Sequence, residues 1–374
     1  MIRNLHIIVN DKFDPSLSFE KTDSENRYIC YVRQIDEPIP YLNKNLVEGM
    51  DYKTIKSIIQ KGEYDNIFFH PLIPSWYGLV KAVPSDKKII WCMFGWEFYE
   101  NPYFERLIER HMSLYKPLTQ QWIHQHYKEA HLSVWLSIKR RLKYYKRQWS
   151  LYNVMRRIDY VAPVYTTEMD ILRHIRGFRA KHFPFRYIVS SYDDNLATES
   201  EETGKYIIVG NSAYPVCNHL DILSLMIERN IVDHELYLPL AYGDNSYHEM
   251  LQETLKEMPF RYQIQDKMIP FNEYQKIMSQ CNVAIFPVIR QHSAGAINLN
   301  LYHGKKVFLY ENSIPYRYLT SVGFRVFSIE RELTQSSIKT RLPDSVIQSN
   351  RKKVIEHISL ECIVKQIQAA LYNL

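Results

Sequence analysis

Glycine is scarce in this chain, at 11 of 374 residues, against a usual share of roughly 7%. A glycine-rich phosphate cradle is therefore not expected, and any phosphate site must be built from helix starts and side chains. Cysteine is sparse and scattered, with five residues at Cys30, Cys92, Cys217, Cys281 and Cys362. No C-x-x-C pair exists, so neither a zinc site nor a disulfide framework is indicated. Four of the five lie in or beside apolar runs, where cysteine behaves as a small hydrophobe. No apolar run approaches the ~18–20 residues of a spanning helix. The opening MIRNLHIIVN has too short an apolar core for a secretory signal and reads as a first strand. These absences together favour a reducing, cytoplasmic setting.

Acidic residues are missing from one place in particular. The chain carries 47 Lys and Arg against 41 Asp and Glu, a formal charge of +6. From Ala130 to Ile158 there are eight Lys or Arg and no Asp or Glu; removing those eight from +6 leaves −2. The protein is a near-neutral body with one basic segment. Its length suggests two domains, and 46% hydrophobic with 24% charged residues excludes a disordered chain or a collagen-like fibre. Tyrosine is abundant, at 29 residues.

Short apolar runs alternate with helical stretches, an α/β pattern. Strands are expected at LHIIV (5–9), NIFFH (66–70), KIIWCMF (88–94) and DYVAPV (159–164). Helices are expected near Tyr52–Lys61 and Thr167–Arg176, with a long basic helical region from about Asn101 to Arg157. The polar, acidic stretch at 191–204 reads as a linker. A second α/β unit follows, with strands KYIIV (205–209), NVAIFPV (282–288) and KKVFLY (305–310), and a strand with its loop in HELYLPLAYG (234–243). Helices are expected from near Cys217, at Ser246–Glu257, Phe271–Gln280 and Ala294–His303, and again in SIPYRYL. The expected domains are 1–190, 205–345 and a terminal helix at 346–374.

Each strand and its following loop place residues at the carboxyl edge of a parallel sheet, where α/β proteins bind ligands. In the second half three such loops stand out: Gly210-Asn211-Ser212, Ala241-Tyr242-Gly243, and Arg290-Gln291-His292-Ser293-Ala294-Gly295. Arg290 offers paired donors for two phosphate oxygens. Ser293 fits an N-cap, and the N–H groups near Gly295 suit an anion at the helix start. The plain alternative is a capped helix beside a surface arginine.

The segments IIVGNSAYPVCNHLDIL (207–223), YLPLAYGD (237–244) and CNVAIFPVIRQHSAGAINLNLYHGKKVFL (281–309) resemble the donor domain of GT-B glycosyltransferases. More closely, they are similar to the bacterial 4-acetamido-4,6-dideoxygalactose transferase family, glycosyltransferase family 56, which makes a lipid-linked intermediate of enterobacterial common antigen. IIWCMFGWEFYE (89–100) looks like that family's aromatic–Gly–x–acid–x–Tyr motif. The resemblance runs from His70 to about Leu319. It implies a GT-B fold, with two Rossmann-like domains facing across a cleft and a C-terminal helix returning to the first. It also implies an inverting, metal-independent transfer from a nucleotide-diphosphate sugar, with no cofactor. The chain departs from many GT-B enzymes at Leu299, where a ribose-holding Glu stands five residues before the glycine, here Gly304. Asn298 and Asn300 are the substitutes offered. The Asp193-Asp194 pair lacks D-x-D spacing, which speaks against a GT-A enzyme with a manganese-bound diphosphate.

An inverting transfer needs a base for the acceptor proton. Glu97 follows a strand and Gly95 and matches the acid of the family motif; Trp91, Phe94 and Trp96 can raise its pKa by desolvation. A helix cap is its plain alternative. His70, Asp11, Gly95 and Trp96 form the expected acceptor side.

In the basic segment Trp135, Ile138, Leu142, Tyr145, Trp149 and Tyr152 recur at helical spacing. Lys139, Arg140, Lys143, Lys146 and Arg147 fall on the opposite face. Such a helix suits an anionic inner-membrane surface, or simply packs its aromatic face on the first domain. The reading is a hexosyltransferase-type enzyme of bacterial cell-envelope polysaccharide synthesis, peripheral on the cytoplasmic face of the inner membrane. Its partners would be a nucleotide sugar and a lipid-linked saccharide, with no nucleic acid. A polysaccharide pyruvyltransferase of GT-B shape, and a nucleic-acid-binding protein using the basic segment, are the competing readings.

Overall fold

The computed structural model describes residues 1–9, 14–32, 46–126, 149–187 and 204–374. Asp11, most of the 191–204 linker, and Trp135, Lys139, Arg140, Lys143, Lys146 and Arg147 lie outside the described residues.

The described chain forms two compact α/β units. The first holds a seven-stranded sheet in the order β3-β2-β1-β4-β5-β6-β7. The strands are β1 (Arg3–Ile8), β2 (Glu25–Tyr31), β3 (Val47–Met50), β4 (Asn66–His70), β5 (Lys88–Cys92), β6 (Tyr160–Ala162) and β7 (Lys181–His182). Every pairing is parallel. NIFFH is buried at all five positions, as expected of a parallel strand covered on both faces. β2 and β3 are not foreseen from the apolar runs. β2 opens on the polar Glu-Asn-Arg, its apolar YICY half is short, and β3 has only four residues.

The helix at Tyr52–Lys61 is the one the pattern predicts. The Asp51 carboxylate accepts from the Thr54 amide at 2.7 Å, and Gly62 closes the helix in the left-handed region at φ 67°, a standard start and stop. Phe68, Ile90, Cys92 and Ala162 build the core with Ile363, Ile367 and Leu371 from the last helix, Leu360–Leu371. That helix therefore belongs to the first unit. The expected single terminal helix is in fact two, Asp344–Ile358 and Leu360–Leu371. Ser359 leaves the helical region between them, and its hydroxyl accepts from the Cys362 amide.

The second unit's sheet runs β10-β9-β8-β11-β12-β13. Its strands are β8 (Tyr206–Val209), β9 (Glu235–Pro239), β10 (Arg261–Gln265), β11 (Cys281–Phe286), β12 (Lys306–Leu309) and β13 (Phe327–Ser328). Both units thus have the doubly wound order, in which the strand sequence reverses between two central neighbours. The reversal lies between β1 and β4 in the first and between β8 and β11 in the second. β10 was not foreseen, because RYQIQ is a half-exposed edge strand.

One boundary differs from expectation. The region 101–157 does not all belong with the first sheet: from Met112 the chain packs in the second unit, through the helix Pro117–His126. The cause is local. Asp221 accepts from the Leu118 and Thr119 amides at 2.8 and 3.0 Å and from the Thr119 hydroxyl at 2.6 Å. Asn218 Oδ1 accepts from the Lys116 amide at 2.7 Å. A carboxylate at a helix start satisfies orphan N–H groups and complements the dipole. Trp122 then meets Tyr247 edge-on at 5.0 Å.

Lys305 stands just before β12, at the sheet edge opposite the strand ends that carry the loops. It is buried, its Nζ has no hydrogen-bond partner among the described residues, and burial lowers its pKa to about 8. A lowered folded pKa means the unfolded state binds the extra proton. Stability therefore rises with pH between about 8 and the unfolded value near 10.4. Lys305→Met is expected to raise stability by about 2–3 kcal/mol at pH 7. The gain should shrink toward pH 10, as followed by thermal melts at both pH values.

Candidate active site

The second unit brings its three strand-end loops together. Gly210 follows β8 at φ 70°, and a Cβ there would lie 2.4 Å from His219 Nε2. Gly243 follows β9 at φ 143°, with Ala213 backbone atoms 2.4–2.8 Å from where its Cβ would stand. Few as they are, two of the chain's glycines sit where only glycine fits. Backbone bonds lock these loops: Ala213 N to Tyr242 O at 2.8 Å and Asp244 N to Ala213 O at 3.0 Å.

Asn211 is the hub. Its Nδ2 donates to the Tyr242 hydroxyl at 3.0 Å, and its Oδ1 accepts from the Ser293 hydroxyl at 2.6 Å. Ser212 Oγ lies 3.0 Å from His292 Nε2. Ser293 sits at the N-cap position but in the left-handed region, φ 61°, and its side chain caps nothing. The expected capping role is replaced by the tie to Asn211. The helix Ala294–Tyr302 therefore starts without a side-chain cap, and its first amides, with half-buried Gly295 among them, have no acceptor within the helix. This is the arrangement that favours an anion.

Arg290 is 5% exposed, and its Nη1 donates to the neighbouring Gln291 carbonyl at 3.0 Å. Its charge opposes the burial that raises the Cys217 thiol's pKa. Cys217 in turn touches Ser212, so the guanidinium lies near the Asn211-Ser212 loop. Asn298 is buried with Oδ1 unpartnered among the described residues. Asn300 is wholly buried and spends its Nδ2 on the Ala296 carbonyl at 2.8 Å. Its Oδ1, like that of Asn298, is buried and unpartnered among the described residues. Leu299 is buried beside them. Two residues not foreseen join this cluster. His292 bonds Ser212, and the Tyr214 ring, 41% exposed, meets His292 and Tyr242 edge-on. His292 lies inside the loop singled out by sequence; Tyr214 carries no comparable local signal.

The first unit places Glu97 in the four-residue helix Trp96–Tyr99, which starts at Gly95 with φ 104°. Glu97 is 2% exposed. Its Oε1 accepts from Trp91 Nε1 at 3.0 Å and from the Phe94 amide at 2.9 Å. Its Oε2 is buried with no partner among the described residues. Burial raises its pKa to about 7, and the nearby Glu168 carboxylate pushes the same way. One oxygen thus anchors the turn and the other is uncommitted. Phe94 is buried as foreseen, but Trp96 is 40% exposed and Trp91 bonds the carboxylate, which favours its charged form.

His70 ends β4 fully buried. Its Nε2 lies 3.0 Å from His6 Nδ1, and its Nδ1 bonds the Tyr187 hydroxyl. Both ring nitrogens are taken by protein, so His70 does not hold an acceptor directly, contrary to expectation. Trp149 is 69% exposed in a helical stretch at 149–155, while Tyr152 packs between Arg156 and Arg176. Among the described residues no group of three or more His, Cys, Asp or Glu is placed to hold a metal ion, and no helix is long and apolar enough to cross a membrane.

Residues 134–365, more than half of the chain, match the family described as 4-alpha-L-fucosyltransferase glycosyl transferase group 56. The Glu97 motif lies outside the matched span. No curated protein sequence matches the chain. Similar solved structures include HepE from Anabaena in complex with UDP and glucose, at 11% identity and TM-score 0.60 over 100% of both chains. The sucrose-phosphate synthase of Thermosynechococcus elongatus aligns at 10% identity and TM-score 0.60, over 100% of this chain and 98% of that one. The lipopolysaccharide outer core galactosyltransferase WaaB, in its apo form, aligns at 10% identity and TM-score 0.53, again over 100% and 98%. At such identities the likeness is one of fold, that of the GT-B glycosyltransferases with their paired Rossmann-like units.

Proposed function

The chain belongs to glycosyl transferase group 56 and is a glycosyltransferase, and from that premise we propose that it moves a sugar from a nucleotide-diphosphate donor to a lipid-carrier-linked saccharide, with inversion and without a metal. One observation carries the donor half. Arg290, the Asn211–Ser293 tie and an uncapped nine-residue helix start converge at the reversal point of the second sheet. A diphosphate leaving group needs that combination of a planar cation and preorganised N–H groups. The UDP bound to HepE supports a nucleoside diphosphate as the leaving group here.

Glu97 is the proposed base. A carboxylate with a pKa near 7 is matched to accepting a proton at neutral pH, and Oε2 is its uncommitted oxygen. That oxygen is buried in the first unit. The exposed Trp149 and the eight positive charges of 130–158 support a membrane-surface site on the cytoplasmic face, from which a lipid-linked acceptor is drawn. Turnover of nucleotide sugars with a lipid-linked acceptor extract tests the function. Run with anionic and with neutral vesicles, the same assay should be faster on the anionic ones at low salt and lose that advantage at high salt.

A further inference from the structure

A run of hydrogen-bonded side chains, fully buried at His6 and His70 and half-buried at its Asn26 and Tyr187 ends, crosses the first sheet with a single hydrogen-bond direction. Its far end is Asn26. The Asn26 Nδ2 donates to the Phe19 and Ser24 carbonyls, both at 3.1 Å, which fixes its amide orientation. Asn26 Oδ1 can then only accept, and it does so from Asn4 Nδ2 at 2.9 Å and from His6 Nε2 at 3.3 Å. His6 must therefore carry its proton on Nε2. The ring is fully buried, lies stacked on Tyr28 and Phe68, and is held neutral by that burial. A neutral His6 protonated on Nε2 has a bare Nδ1, so His70 Nε2 must donate across their 3.0 Å contact. His70, also neutral by burial, is left with a bare Nδ1, and the Tyr187 hydroxyl must donate to it. Every proton in the run is thereby assigned.

The near end meets the Glu97 turn. The Tyr187 ring packs edge-on against Phe94 at 4.6 Å, and the Phe94 amide is one of the two donors to Glu97. We propose that Asn26, His6, His70 and Tyr187 form a one-way hydrogen-bonded brace that holds Tyr187 against Phe94 and so fixes Glu97, making His6, His70 and Tyr187 positioning residues for the transfer. The proposal rests on Glu97 being the base. The run is a brace and not a proton conduit, because it ends on an amide oxygen that is not basic, and a proton entering it would leave a buried imidazolium. The titratable groups that Glu97 faces are Glu168, Cys92, Tyr77 and Tyr187. Of these, Tyr187 bonds His70.

Tyr187→Phe keeps the ring and removes the donor. It should lower kcat by about tenfold, leave KM for the nucleotide sugar unchanged, and displace the rising limb of the pH–rate profile by about half a unit. His70→Asn should act in the same direction, and circular dichroism checks that both variants are folded. A Tyr187→Phe profile superposable on the wild type overturns the proposal, as does a loss confined to KM. A second readout needs no turnover. Nitrogen-15 NMR of the imidazoles should show both His6 and His70 protonated on Nε2 and not titrating between about pH 5 and 9. A proton on Nδ1 of either ring, or titration in that range, overturns the assigned direction. If Glu97→Gln keeps full turnover, the base reading fails, while the tautomers stand or fall on their own.

Discussion

Glu97→Gln is expected to lower kcat by ~10²–10⁴-fold, the range for losing a positioned general base, while KM for the nucleotide sugar stays close to that of the wild type. The amide oxygen can take over the bonds that Oε1 accepts from Trp91 and Phe94, so the turn is retained. What is lost is the basic oxygen. The wild-type carboxyl titrates at about 7, and a base must be ionised. kcat/KM should therefore rise with pH through about 7 and level off above it, and the variant should lose that limb. Stability runs the other way. A carboxyl whose folded pKa is raised binds its proton more readily in the native state, so stability falls as pH climbs from the unfolded value to about 7. Glu97→Gln removes that penalty and should be no less stable than the wild type at pH 8. Steady-state kinetics across pH with paired melts check both statements, and an active variant would show Glu97 to be only an anchor for its turn.

Arg290→Ala is expected to cost ~10²–10³-fold in kcat, as for a preorganised donor to developing negative charge, and to weaken nucleoside diphosphate binding as well. Arg290→Lys should recover little, because an ammonium cannot bridge two phosphate oxygens as the guanidinium does. Isothermal calorimetry with the nucleoside diphosphate, beside kcat for both variants, measures the effect. If Arg290→Ala binds and turns over normally, the guanidinium has a structural role in its loop, such as its bond to the Gln291 carbonyl, and not a phosphate-binding one.

The parts of this protein that are legible in sequence are those set by neighbours along the chain. NVAIFPV followed by a polar loop and a helical stretch marks β11, Arg290 and the Ala294–Tyr302 helix, because burial on both faces demands an unbroken apolar run. Gly95 and Glu97 are legible for the same reason, standing directly after β5. The strands missed, β2, β3, β7, β10 and β13, are those with polar openings, half-exposed faces or too few residues to show a pattern. Their place comes from pairing with a neighbouring strand, which no local window contains. The His6–His70 and His70–Tyr187 contacts span 64 and 117 residues. His70 thus reads as a strand-end ligand-holder until its partners are seen. Ser293 misleads in another way: a serine before a helix reads as a cap, but Asn211, 82 residues earlier, claims its hydroxyl.

The scarcity of glycine has a definite outcome at the donor loops. Gly210 and Gly243 serve tight backbone approaches, and no glycine-rich loop is spent on phosphate. In the function proposed here that task falls to an arginine and a helix start. In the same proposal the basic segment serves the acceptor, which would be reached from an anionic surface.

The central claim is transfer of a sugar from a nucleotide-diphosphate donor, and mass-spectrometric turnover tests it most directly. The purified protein is incubated with UDP-, dTDP- and GDP-sugars and a lipid-linked acceptor extract, with phosphoenolpyruvate as a separate arm. The account predicts that one nucleotide sugar is consumed, its nucleoside diphosphate released, and the acceptor made heavier by one sugar residue. Wild-type protein, folded and supplied with acceptor, that leaves every nucleotide sugar intact while adding a pyruvyl group from phosphoenolpyruvate would contradict it.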